Sequence, residues 1–161
     1  MGDLGYTIIF AVKRNPMNRN PVTLNPYIFF DGNCREAMEF YKGLFGGELM
    51  LTTFGEGPAD AHADPKANSA DVTDKIMHAR LTGDVVLLAS DNPNGMGDGN
   101  SSQFSLSLEG SDEPRFQTYF NKLAQNGKVT APLIKQFWGD LFGMVTDKFG
   151  VNWMVTIRQN Q

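Results

Sequence analysis

Along residues 23 to 158 the apolar positions alternate between a period of two and a period near 3.6, and these stretches come twice in the same order. Sliding the chain by 78 positions carries Phe30-Asp31-Gly32, Met38, Tyr41 and Phe45 onto Leu108-Glu109-Gly110, Phe116, Tyr119 and Leu123. Each copy reads as strand, turn and amphipathic helix. Cys34, Ala37, Met38, Tyr41, Leu44 and Phe45 form one helical stripe, and Phe116, Tyr119, Phe120, Leu123 and Ala124 form the other. Asn33 with Glu36 three residues on predicts a capping-box-like start, and Ser111 or Asp112 caps the second helix. Gly46-Gly47 and Gly127 predict left-handed stops. Three strands should follow each helix: Glu48 to Phe54, Lys75 to Thr82 and Asp84 to Ser90, then Lys128 to Gln136, Leu141 to Thr146 and Val151 to Arg158. Hairpin turns are expected at Gly83-Asp84 and Phe149-Gly150. The fold class is therefore α+β: tandem βαβββ modules, at about 23–91 and 102–158, bending a curved mixed sheet with the helices outside. Residues 1–22 match neither module and form an N-terminal extension to a single domain over 23–161.

Period-two alternation assigns side chains to sheet faces. Phe104, Leu106 and Leu108 should meet the helix, leaving Gln103, Ser105 and Ser107 opposite. Trp153, Val155 and Ile157 take the helix side, leaving Asn152, Met154 and Thr156. Met77, Ala79 and Leu81 take it in the first module, leaving Ile76, His78 and Arg80. A mixed polar face of this kind lines a cavity if the sheet is curved.

His78 and Arg80 then lie on one strand face about 6.6 to 7 Å apart, a spacing that lets a carboxylate or phosphonate sit between them. His78 is a candidate general base and Arg80 a polarising group; the alternative is a pair satisfied by neighbouring strands or by a second copy. Gln103, Ser105, Asn152 and Met154 are candidate ligand-orienting residues, and Trp138, in a turn before Gly139, is a candidate stacking surface at the cavity mouth or a packing residue. Cys34 falls on the helical stripe and reads as buried packing. His62 with Asp60 and Asp64 is the one cluster with some look of a metal site, but it lies in the long Gly55 to Asp74 segment, which reads as a solvated loop and a lid near the cavity. The Asp91 to Asn100 segment has Pro93 and Gly95 where calcium ligands should stand, so it reads as the connector between modules.

Composition narrows the class. Gly and Pro make up about 16% of 161 residues, short of the disordered range of roughly 25 to 30%. The net charge of −4 offers no basic footprint for a phosphate backbone, so nucleic acid is not an expected partner. A single cysteine rules out an intrachain disulfide and fits a reducing, cytoplasmic compartment. No apolar run approaches the roughly 20 residues of a membrane helix, so no membrane partner is expected.

The strings Leu24 to Tyr41 (LNPYIFFDGNCREAMEFY), Asp74 to Leu81 (DKIMHARL) and Phe137 to Val155 (FWGDLFGMVTDKFGVNWMV) resemble the vicinal oxygen chelate superfamily of glyoxalases, bleomycin resistance proteins and dioxygenases. Within it the chain is most similar to the PhnB-like branch, over about residues 23 to 158. The resemblance implies that fold and a homodimer. Members of this branch are often labelled 3-demethylubiquinone methyltransferases, but no glycine-rich strand-to-helix loop stands here to cradle a nucleotide-like cofactor. The resemblance also implies a four-residue metal site, which falls at Pro26, about Leu87, Gln103 and Met154. None is a good ligand for a hard cation. The expectation is thus a metal-free and cofactor-free cavity that binds a small polar or anionic metabolite. The alternatives are an enzyme working through His78 and Arg80 or a relocated divalent metal, and a drug-sequestering protein of the bleomycin-binding kind, which would need inward carboxylates.

Overall fold

The computed structural model describes residues 23–57, 72–92 and 104–159. Expectations that fall wholly or partly elsewhere, namely the 1–22 extension, Gln103, the Asp60, His62 and Asp64 cluster, the body of the Gly55 to Asp74 loop and most of the connector, lie outside the described residues.

The predicted order of elements is present. The first half runs β1 (Tyr27–Phe30), α1 (Cys34–Phe45), β2 (Glu48–Thr53), β3 (Ile76–Thr82) and β4 (Val86–Asp91); the second runs β5 (Leu106–Gly110), α2 (Glu113–Ala124), β6 (Lys128–Lys135), β7 (Leu141–Thr146) and β8 (Asn152–Ile157). The strands form two mixed four-stranded sheets, ordered β1-β4-β3-β2 and β5-β8-β7-β6. In each, the helix carries the chain from the first strand to the opposite edge, and the next three strands pair antiparallel in sequence order until the last lies parallel beside the first. β1 and β5 are therefore edge strands.

The helix-bearing faces of both sheets converge on one apolar core. Tyr41, Phe45, Leu81 and Ala89 from the first half share it with Tyr119, Leu123, Val145, Trp153 and Val155 from the second. Phe45 packs edge-on against Tyr119 with ring centroids 5.1 Å apart, and Tyr41 against Trp153 at 5.5 Å. At the centre Asp147, itself buried, accepts hydrogen bonds from the Tyr41 hydroxyl (2.7 Å), Trp153 Nε1 (2.9 Å) and the backbone N–H groups of Phe149 (2.9 Å) and Val151 (3.0 Å). One carboxylate thus ties α1 to the β7–β8 turn. Two ion pairs repeat the link with roughly two-fold symmetry: Asp84, in the β3–β4 turn, meets Arg115 of α2, and Lys148, in the β7–β8 turn, meets Glu36 of α1.

Several local expectations are corrected. Asn33 makes no side-chain cap; the buried Asp91, at the end of β4, caps α1 by accepting from Cys34 N (2.9 Å), and its second oxygen accepts from Ile76 N (2.8 Å). Asp112 caps α2 as expected, accepting from Arg115 N at 3.2 Å. After α2 the left-handed residue is Asn126 (φ 57°), not Gly127; Gly127 is needed for closeness, since a Cβ there would lie 2.5 Å from the Thr146 carbonyl oxygen. Ile76 is wholly buried rather than facing outward with His78, because a bulge beside Thr52 and Thr53 shifts the pairing and turns Ile76 into the core. Phe104 precedes β5 and is 79% exposed instead of packing under α2.

Candidate functional site

β3 presents His78 and Arg80 together on the helix-free face of the first sheet, both exposed. The register sets their neighbours. Tyr27 on β1 pairs with Leu88 on β4, Leu88 with Arg80, and Arg80 with Met50 on β2, so these four form one row across the sheet. Phe29 lies one pleat along β1 from Tyr27, with ring centroids 5.0 Å apart, and the Tyr27 and His78 rings lie 6.1 Å apart. The Tyr27 hydroxyl and His78 Nδ1 are 3.5 Å apart, at the outer limit of a hydrogen bond. Phe29 and Met50 are 55% and 69% exposed. Arg80 makes no ion pair among the described residues. The face therefore offers a free guanidinium and an imidazole beside a wall of aromatic rings, with Leu88 as its partly buried floor.

Sequence reasoning found His78 and Arg80 but missed Tyr27, Phe29, Leu88 and Met50. The signal was available: Phe30 belongs to the core, so alternation along Tyr27-Ile28-Phe29-Phe30 turns Tyr27 and Phe29 outward.

The remaining candidates lie on the second sheet. Asn152 and Met154 alternate with the buried Trp153 and Val155, as expected, and face away from the core. Met154 pairs with Met144, whereas Asn152 is taken up by a neighbour, accepting from the Thr146 hydroxyl at 2.7 Å. Ser105 is exposed just before β5. Trp138 sits in the β6–β7 turn, where its ring packs on Phe142 (6.1 Å) and against the fully exposed Phe137 (4.9 Å). The candidates among the described residues thus form two groups, His78 and Arg80 with the first sheet and Ser105, Trp138, Asn152 and Met154 with the second.

Of the positions implied for a metal, Pro26 has no donor atom, Leu87 is buried in the core rather than outward, and Met154 offers only a thioether. These residues do not fit a hard divalent cation. Among the described residues no three His, Cys, Asp or Glu side chains gather as a donor set. Cys34 is buried, as expected; desolvation, reinforced by Asp91, pushes its thiol up to about 12, far from a reactive thiolate.

A cavity of about 550 Å³ lies elsewhere, between the β3–β4 turn and the start of α2, lined by residues that include Asp84, Glu109, Asp112 and Arg115. Its carboxylates are engaged: Asp84 pairs with Arg115, Glu109 with Arg158, and Asp112 caps α2. Asp84, and then Tyr119, raise the Arg115 guanidinium further above its already high value. Among the described residues, none of the predicted site residues lines this space.

The family model described as Glyoxalase/Bleomycin resistance protein/Dioxygenase superfamily matches residues 23–155. Protein YjdN of Escherichia coli (strain K12) is 35% identical over 144 residues, covering 86% of this chain and 97% of its own. Among solved structures, protein PA1353 from Pseudomonas aeruginosa is 40% identical with a TM-score of 0.74, covering 87% of this chain and all of its own. A PhnB protein from Bacillus cereus, named as a candidate 3-demethylubiquinone-9 3-methyltransferase, is 25% identical with a TM-score of 0.68, covering 85% of this chain and all of its own.

Proposed function

The chain belongs to the glyoxalase/bleomycin resistance protein/dioxygenase superfamily, and from that premise we propose that it is a cytoplasmic, homodimeric protein binding a small anionic metabolite over the His78 and Arg80 face. The observation that carries this reading is Arg80. Its guanidinium stands on a sheet face with no ion-pair partner among the described residues, next to an imidazole and above an apolar floor. An always-protonated, weakly hydrated fork in such a place suits a carboxylate or phosphonate.

The second copy follows from what each sheet leaves uncovered. Tyr27, Phe29 and Met50 on one sheet and Ile134 and Trp138 on the other are large, apolar and substantially exposed. Among the described residues β1 and β5 are paired on one side only, leaving edges of the kind that recruit another chain. Laying the first sheet of one copy over the second sheet of another covers both faces. It also brings Asn152, Met154 and Trp138 of the partner opposite His78 and Arg80, closing a cup that one chain leaves open.

No helix is long and apolar enough to cross a membrane among the described residues. The single buried cysteine favours a reducing compartment. The engaged carboxylates of the 550 Å³ cavity weigh against a groove for a cationic drug.

The reading is tested by thermal shift with small carboxylates and phosphonates on the native protein, Arg80→Gln and His78→Ala, with light scattering for mass. Binding stabilises by mass action, so the midpoint should rise with acid concentration, and the rise should vanish in Arg80→Gln. A monomer at micromolar concentration, or a rise that survives Arg80→Gln, overturns it.

A further inference from the structure

The proposed site has a feature that a bare anion does not need. Three rings, those of Tyr27, Phe29 and His78, stand in one continuous cluster beside Arg80, and two of them belong to the edge strand β1. Exposed aromatic rings on a sheet face are costly to leave in water, and here they stand across Leu88 from Arg80, a cation with no ion-pair partner among the described residues. We propose that the ligand is a monocyclic aromatic acid, its ring held by Tyr27 and Phe29 over Leu88 and its carboxylate or phosphonate on Arg80.

This rests on the anion-site reading and specifies the ligand's other end. Tyr27 and Arg80 flank Leu88 in a single row, two strand spacings or roughly 9 to 10 Å apart, enough for one ring with an acid group attached. The floor is apolar, so the middle of the ligand should be apolar too. Tyr27 and Phe29 are inclined at 39° to each other, so a flat ring stacked on one face meets the other at the same tilt. His78 has its Nδ1 near the Tyr27 hydroxyl, and its Nε2 is the nitrogen that would meet the second acid oxygen. Stacking gains come on top of buried area, so aromatic and saturated rings of equal size should be told apart.

The test compares benzoate and phenylphosphonate with cyclohexanecarboxylate, titrated by NMR into the full-length protein, following the Met50 methyl and the His78 ring protons. Benzoate should bind about tenfold more tightly than cyclohexanecarboxylate. Phe29→Leu, an exposed change that keeps bulk and spares the core, should erase most of that preference, Phe29→Tyr should retain it, and Arg80→Gln should weaken both acids together. Equal affinities for the two rings, or a preference untouched by Phe29→Leu and Tyr27→Leu, overturn the aromatic proposal and leave the anion site standing. If none of the acids shifts these resonances, the anion site itself falls, and this proposal with it.

Discussion

The two modules share a backbone and differ in what they do with it. With the 78-residue offset Tyr27 corresponds to Ser105, and the strand registers then set Arg80 opposite Leu88 where the second module has Thr146 opposite Asn152. In the second module that pair closes on itself through a hydrogen bond. In the first, a long cation faces an aliphatic side chain that cannot satisfy it. The buried sides differ as well. The first module buries Asp91 and uses it on its own helix, whereas the second buries Asp147 and uses it on the helix of the first. A repeated scaffold therefore fixes where side chains point, not what they recognise. The asymmetry suits a cup with one charged wall and one neutral, polarisable wall.

The largest effect should come from the carboxylate that joins the halves. Asp147→Ala strands the buried Tyr41 hydroxyl and Trp153 N–H and leaves two part-buried backbone donors without their partner, and should cost about 3 to 5 kcal/mol in urea unfolding. Tyr41→Phe leaves three of the four donors in place and should cost about 1 kcal/mol. If the two variants are equally stable, Asp147 is not the tie between modules.

The two helix caps give a smaller contrast. Asp91→Ala removes a buried side chain that serves both the start of α1 and the start of β3, for about 2 to 3 kcal/mol. Asp112→Ala removes an exposed cap with a single backbone bond, for about 1 kcal/mol. Equal losses would mean that the first module's long-range cap is no stronger than the second's local one.

These two carboxylates also mark the limit of what the sequence made legible. Helical stripes and alternating strands located both helices and the three strands after each to within a residue or two, because periodicity is set by the neighbours along the chain, whereas the strand read from Gln103 begins only at Leu106. Asn33 looked like the cap of α1 because it is adjacent; Asp91 lies 57 residues away in sequence, and only the β1–β4 pairing brings it there. Ile76 was misassigned for a related reason: a bulge breaks the two-residue period without any local sign such as glycine or proline. Trp153, Val155 and Ile157 were read correctly because β8 is regular and central to its sheet. His78 and Arg80 were visible as rare residue types in an apolar strand, while their aromatic neighbours were passed over, since four apolar residues in a row on β1 look like core until alternation is counted back from Phe30.

Alkaline pH should sharpen the comparison from the side of α1. Burial, reinforced by Asp91, pushes the Cys34 thiol from its ordinary value near 9 up to about 12, and burial, reinforced by Asp147, pushes the Tyr41 phenol upward as well. Below pH 9 the thiol is protonated whether the chain is folded or not. Between pH 9 and about 12 the unfolded chain releases that proton and the folded chain keeps it, so rising pH favours unfolding, by at most about 1.4 kcal/mol per pH unit for this group. Cys34→Ala should flatten that part of the stability curve whatever its effect at neutral pH, and Tyr41→Phe should flatten the part above pH 10. A slope unchanged in both variants would mean that neither group is shielded as the packing of α1 implies.

The smallest effect should belong to the two ion pairs that link the modules at their rims. Asp84 with Arg115 and Lys148 with Glu36 are partly exposed, so water and salt screen them, and each should contribute little. They need not be equal. Arg115 is also held by the Tyr119 hydroxyl at 2.6 Å, whereas Lys148 lies 4.7 Å from the Phe149 ring centre, a cation–π contact that outlasts the loss of Glu36. A double-mutant cycle on Asp84 and Arg115 should therefore give a coupling that shrinks between low salt and 1 M salt, while Glu36→Gln should cost almost nothing at either. A large, salt-insensitive coupling at Asp84 and Arg115 would shift the join between the modules from the buried Asp147 to the rim.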